Sequence, residues 1–158
     1  VVAHRKLGLT RFSDLAGRRV VFNDPASLSG YHCLRQALGE RGLSADAFFA
    51  SFRRSGSHHA SLEMILAGEA DAAAIDANVL RTARSLGLSL PVNTVCTLGP
   101  FPIQPVVVRR TLAEERRSAL RSALLEMHRA SGGAPLRRYG VTHFAEVDDP
   151  HYADTDAC

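Results

Sequence analysis

"RRVVFNDPASLSGYHCL", residues 18–34, carries a strand through a turn into a helix. The run around Arg19–Phe22 reads as a short buried strand. Asp24-Pro25 stops it, because proline stiffens the turn and has no N–H to extend a ladder. Tyr31, Leu34, Ala37 and Leu38 then recur on one face and predict a helix of about a dozen residues, ended by Gly39 and Gly42. Two serines and a glycine stand where that helix begins. One reading is ordinary capping by Ser29. The other is a ligand: open α/β sheets bind ligands where strands pass into helices, and the unpaired N–H groups of a first helical turn attract anions. Ser27 and Ser29 would add hydroxyl donors, and Gly30 would let a ligand approach the backbone without a Cβ in the way. Spacing alone leaves both readings open.

The flanking sequence repeats the pattern. "AFFASFRRSG" contains a second strand, and "SHHASLEMILAGEA" a helix with Leu62, Ile65 and Leu66 inward and Gly68 at its end. "ADAAAID" is a short small-residue strand of the kind that lies between closely packed helices, "ANVLRTARSLG" a helix, and "VNTVCTL" a further strand. From about Asp14 to Leu98 this alternation marks an α/β unit with a mainly parallel sheet. Ser57 can cap the second helix, and His58 falls in its first turn. The helix dipole disfavours added positive charge there, so a neutral imidazole could donate one N–H to an oxyanion, or His58 could be a surface or capping residue. His59 and Glu63 have the i, i+4 spacing of metal ligands, but with no third ligand in view no metal site is assigned. No Walker-type lysine, GxGxxG or nucleophile elbow occurs, which leaves a nucleotide site and a serine nucleophile unsupported.

Beyond Leu98 the texture changes. "GPFPIQPVVVRR" places three prolines between Pro100 and Pro105, which excludes a helix and suggests a stiff extended crossing. Thr111 and Glu114 predict a capping box opening a long helix, with Leu112, Ala119, Leu120, Ala123, Leu124 and Met127 as its buried stripe. "SGGAP" ends that helix, and the remainder reads as irregular.

Composition agrees with a globular chain: 158 residues, 46% hydrophobic and 22% charged. No apolar run approaches the ~18 residues of a membrane span. The net charge of +3 rests on arginines scattered along the chain, with Lys6 the only lysine; they read as solvated surface, and no nucleic-acid stripe is assigned. Cys33, Cys96 and Cys158 are odd in number and widely spaced, which argues against a disulfide framework and a zinc site and leaves the compartment open. Cys33 and Cys96 read as buried thiols.

"DLAGRRVVFNDPASLSGYHCLR", "SGSHHASLEMILAGEADAAAIDANVL" and "LGPFPIQPVVVRRTL", in that order, resemble the periplasmic substrate-binding proteins of phosphate, phosphite and phosphonate ABC importers. The resemblance implies the type II periplasmic-binding-protein (Venus flytrap) α/β fold, with the ligand between two lobes. Carried onto this sequence, it makes 14–98 a complete three-layer α/β lobe, 99–106 a hinge crossing, and 107–158 the returning part of the other, incomplete lobe. Family members carry a long stretch ahead of the position of Asp14, which builds most of the first lobe. The resemblance implies that Ser27, Leu28 and Ser29 hold the oxyanion through backbone N–H groups and hydroxyls, with Gly30 and Tyr31 beside them and His58 donating from the second helix start. Leu28, often Ser or Thr in the family, can offer only its N–H. Members that grip an aminoalkyl tail use carboxylates where this sequence has Asn78 and Gln104, with Asp76 two residues from the former. The expected ligand is therefore phosphate, phosphite or a short alkylphosphonate. The expected partner is a membrane permease, the expected location periplasmic or extracytoplasmic, with no cofactor and no catalysis. The same fold also serves ligand-sensing domains of regulators and thiamine-pyrimidine synthases, which remain the alternatives.

Overall fold

The computed structural model describes residues 1–129, 131, 133–148, 150 and 152; Cys158 and the end of the 107–158 segment lie outside them. Five short strands form one sheet: β1 (Val2–His4), β2 (Arg19–Phe22), β3 (Ser51–Arg54), β4 (Ala72–Ala73) and β5 (Val92–Thr94), in the spatial order β3-β2-β4-β1-β5. β2 lies parallel to β3 and to β4, with Val20 opposite both Phe52 and Ala72.

The sheet is mainly parallel, with β2, β3, β4 and β5 running one way and β1 alone running against them. β1, which the sequence reading left unassigned, inserts between β4 and β5 and runs antiparallel to both, with Val2 opposite Ala73 and Ala3 opposite Asn93. An antiparallel strand needs no crossover helix, so β1 can enter directly from the chain ahead of Asp14.

Alternation along the strands divides the interior into two layers. Ala3, Val20 and Ala72 face one side, where they pack with Leu15, Leu34, Leu38 and Phe49. Val2, Val21 and Ala73 face the other, against Leu62 and Ile65. The first layer is covered by α1 (Cys33–Gly39), with α2 (Ala45–Phe48) leading into β3; the second is covered by α3 (His58–Leu66), with Val79 and Leu80 of α4 (Ala77–Ser85) beside it. Both faces are thus buried, which is why "VVF" and "AAAI" read as unbroken apolar runs. Leu66 departs from expectation: one residue beyond Ile65, it turns past the sheet and is 41% exposed. Gly42 closes α1 at φ 67°, and the Leu43 N–H donates to the Leu38 carbonyl.

The C-terminal region differs more. α5 spans Glu114–Glu126 with Ala113, not Thr111, as its cap, and no side chain closes its first turn. Glu114 is instead engaged by Arg117 one turn along, so its carboxylate does not reach back to Thr111. The expected stripe is only partly covered: Leu112, Leu124 and Met127 are half-buried, while Ala119, Leu120 and Ala123 are exposed because no apolar face of the described residues closes over them. The chain after α5 is not wholly irregular: a short helix, α6, spans Gly133–Arg138. Residues 99–109 have no regular secondary structure, with Val107 79% exposed. No helix among the described residues is long and apolar enough to cross a membrane.

Candidate functional site

Three helices begin at the C-terminal ends of the three adjacent parallel strands. β2 passes into the turn before α1, β3 into α3, and β4 into α4, so their N-termini gather at one edge of the sheet. Each start is capped by a short polar side chain. Ser27 Oγ accepts from Gly30 N at 3.2 Å, Ser57 Oγ from Ala60 N at 3.0 Å, and Asp76 Oδ1 from Asn78 N at 2.7 Å.

The first start is not a regular helix. Leu28–His32 form a wide turn of π-helical geometry, in which the Ser27 carbonyl accepts from both Tyr31 N and His32 N at 3.1 Å. π-turns recur at functional sites. Ahead of it, the Asp24 side chain accepts from Ala26 N at 3.0 Å and pairs with Arg54, which pins the proline turn to β3.

That widened turn carries Ser29 to His58. Ser29 Oγ lies 3.3 Å from His58 Nε2, and so does the side-chain nitrogen of Asn23. The Ser29 hydroxyl can donate to Nε2 or accept from it, according to the tautomer of the imidazole. Burial lowers the pKa of His58 below 6.5, opposed by the charge of Asp76 and the backbone of Ala74. The imidazole is therefore neutral near pH 7. His58 Nδ1 and Asn23 Oδ1 are buried without a hydrogen-bond partner among the described residues.

Gly30 serves a purpose other than the one its sequence suggests. A Cβ there would come within 1.8 Å of Asn23 Oδ1 and 3.3 Å of His58 Cε1. The space beside it is filled by those two side chains, not kept open for a ligand.

A cleft of about 600 Å³ opens at this edge. Leu28, Ser29, Asp76, Asn78 and Gln104 line it, five of the nine residues expected at the site. Ser27, Gly30 and His58 do not line it; His58 touches the lining only through Ser29. Tyr31 does not join them. Its ring is drawn into an aromatic cluster with Phe22 at 4.7 Å and Phe52 at 5.8 Å, and its hydroxyl accepts from Arg35 at 2.9 Å. Asn23, Arg81 and Arg84 belong to the region but carried no motif. Only the fold brings Asn23 against a histidine 35 positions away.

A serine hydroxyl within reach of a neutral imidazole is also the first half of a nucleophile–base pair. The second half, a carboxylate orienting the other ring nitrogen, is not formed: among the described residues no carboxylate hydrogen-bonds His58 Nδ1, and Asp76 accepts from its own helix. His59 and Glu63 pair with each other at 3.2 Å on an exposed face. No group of three or more metal-ligating side chains assembles among the described residues. Cys33 is buried, its thiol donating to the Ser29 carbonyl at 3.0 Å, and burial pushes its pKa to about 11; Cys96, at the cleft, is half-buried.

The serine turn and the Gly-Ser-His helix start lie side by side at the ends of β2 and β3, with the small-residue strand β4 on the other flank of β2, the α/β arrangement of a periplasmic-binding-protein type of sheet. The sequence model described as "ABC transporter, phosphonate, periplasmic substrate-binding protein" matches residues 1–152, and the chain belongs to that family. Among solved structures, PhnD1 from Prochlorococcus marinus (MIT 9301), in complex with methylphosphonate, superposes with a TM-score of 0.74 at 20% identity. The match covers 99% of this chain and 63% of that one. The fold is thus that of the phosphonate-binding proteins, over somewhat less than two thirds of that protein's length.

Proposed function

We propose that this chain is the ligand-binding part of an ABC importer's solute-binding protein. Its ligand is a small phosphorus oxyanion: phosphate, phosphite or a short alkylphosphonate. Residues 14–98 form the lobe that carries the anion site, with β1 completing its sheet; 99–106 are the hinge crossing, and 107–158 return into the other lobe. The oxyanion sits at the helix starts, held by the N–H groups of Leu28 and Ser29 and by the hydroxyl of Ser29, with His58 against that hydroxyl and Ser27 capping the turn. The observation that carries the reading is the convergence of Ser29 and His58 at 3.3 Å from two different helix starts. A helix N-terminus offers N–H groups and positive potential together, and two such ends aimed at one edge favour an anion over any neutral ligand.

The protein binds and does not turn over its ligand, since the Ser29–His58 pair lacks an orienting carboxylate. It works outside the cytoplasm and hands its ligand to a membrane permease, as its family does. Membership in a family of transport proteins favours this reading over a regulator's sensing domain or a thiamine-pyrimidine synthase. Titration of the full-length protein with methylphosphonate, phosphite and phosphate tests the proposal. Saturable binding of at least one, with the ligand unchanged by phosphorus NMR, is the expected result; no binding, or turnover in a clean preparation, would overturn it.

A further inference from the structure

The cleft carries positive charge that a lone oxyanion at Ser29 does not use. Its one carboxylate among the described residues, Asp76, accepts the Asn78 N–H at 2.7 Å. Arg81 and Arg84, one turn apart on α4, line the same cleft. Arg19, Arg54, Arg117 and Arg121 each meet an Asp or Glu, whereas Arg81 and Arg84 meet none among the described residues.

Arg81 is anchored without being neutralised. Its Nη1 donates to Asn78 Oδ1 at 3.4 Å and to the Gly140 carbonyl at 3.3 Å. A Cβ on Gly140 would lie 2.6 Å from Arg81 Cδ, so that glycine leaves the space in which the arginine rests. The two protons of Nη1 are thereby committed to neutral oxygens. The Nε–Nη2 edge, which can grip a carboxylate side-on with two parallel bonds, has no partner among the described residues. Asn78, expected from sequence to face the ligand's tail, instead orients this guanidinium. The cleft's volume of about 600 Å³ falls within the roughly 300–1,000 Å³ typical of pockets for whole small molecules, more than a bare tetrahedral anion fills.

We propose that Arg81 and Arg84 receive a second anionic group of the ligand. The preferred substrate class is then a phosphorus oxyanion bearing a carboxylate, or a comparable acid, on a short chain. This rests on the reading that Ser29 and His58 hold the first anion.

The test is calorimetry on the full-length protein with methylphosphonate, ethylphosphonate and phosphonoacetate, the last two sharing a two-carbon chain. Phosphonoacetate should bind more tightly than ethylphosphonate by about tenfold or more, the equivalent of ~1.4 kcal/mol. In Arg81→Gln and in Arg84→Gln that ratio should fall toward one. Arg84 makes no side-chain hydrogen bond among the described residues, so its variant keeps the test open if loss of Arg81 disturbs the fold. A ratio near one in the unaltered protein, while methylphosphonate binds, overturns the role of the arginines and leaves the oxyanion site standing. A large ratio that survives both substitutions overturns it too. Failure of methylphosphonate, ethylphosphonate and phosphonoacetate alike overturns the oxyanion site and this inference together.

Discussion

Ser29 Oγ and His58 Nε2 meet at 3.3 Å, although each belongs to a different strand-to-helix passage. The hydroxyl of Ser29 thus stands between the imidazole and the cleft it lines. Its neighbour Ser27 has another task, because its oxygen accepts the Gly30 N–H and caps the turn. The two serines should therefore separate on mutation. Ser29→Ala is expected to weaken oxyanion binding by about 1.5–3 kcal/mol, the range for a hydrogen bond to a charged group, with little change in the unfolding midpoint. Ser27→Ala should lower stability by about 1 kcal/mol, as for other lost caps. Calorimetry beside urea unfolding reads both; equal effects of the two substitutions on binding would show that they act alike.

Gly30→Ala should be costly, because the new methyl would overlap Asn23 Oδ1 and press on His58. Overpacking of this kind costs roughly 1–3 kcal/mol, and displacement of His58 should also weaken oxyanion binding. Truncating the neighbour makes room. The double variant Gly30→Ala with Asn23→Ala should therefore recover much of the stability lost by the single one. A double-mutant cycle in urea checks this, and strict additivity would mean that the two residues do not press on each other.

Acid should act through His58. Its folded-state pKa is lowered, so the unfolded chain binds the proton more readily and stability falls as pH drops below the ordinary value of 6.5. That contribution is fully present above 6.5 and is lost as pH falls through the lower, folded value. His58→Asn should flatten the pH profile of the unfolding midpoint over this interval. An anion bound beside the ring favours its charged form, so saturating methylphosphonate should raise the His58 pKa in a histidine NMR titration. An unshifted His58 resonance with ligand bound would place the anion elsewhere.

Aminoethylphosphonate should bind no better than methylphosphonate. Asn78 and Gln104 cannot neutralise an ammonium group, and the arginines of α4 repel it. A preference for the amino compound of about tenfold, or ~1.4 kcal/mol, would point to Asp76 as its partner and reverse the ranking of ligands.

Much of the fold was legible because its signals are local. β2 lies where the apolar run before Asp24-Pro25 places it, and α3 begins at His58, behind the serine that caps it. β1 was not legible. Three residues long and followed at once by a 3₁₀ turn, it is a strand only through partners about 70 and 90 positions away, at Ala73 and Asn93. The C-terminal helix misled for a related reason. Thr111 and Glu114 have the spacing of a cap, but an arginine one turn further competes for the acid. At the site, the helix starts could be read from serine and histidine spacing. The packing of Asn23 against Gly30 and the anchoring of Arg81 by Gly140 could not, because both depend on tertiary contacts that leave no periodic trace.

The position of β1 also has a kinetic consequence. Residues 2–4 take their place only between strands at 72–73 and 92–94, so they wait unpaired until the intervening chain has been synthesised. Closing such distant pairings carries its loop entropy before any contact rewards it. Until β5 arrives, the serine and histidine turns hang on a sheet with an open side. Competence to hold an anion should therefore emerge late, once the chain has passed β5 and the cleft-lining Gln104, rather than growing with each helix that forms.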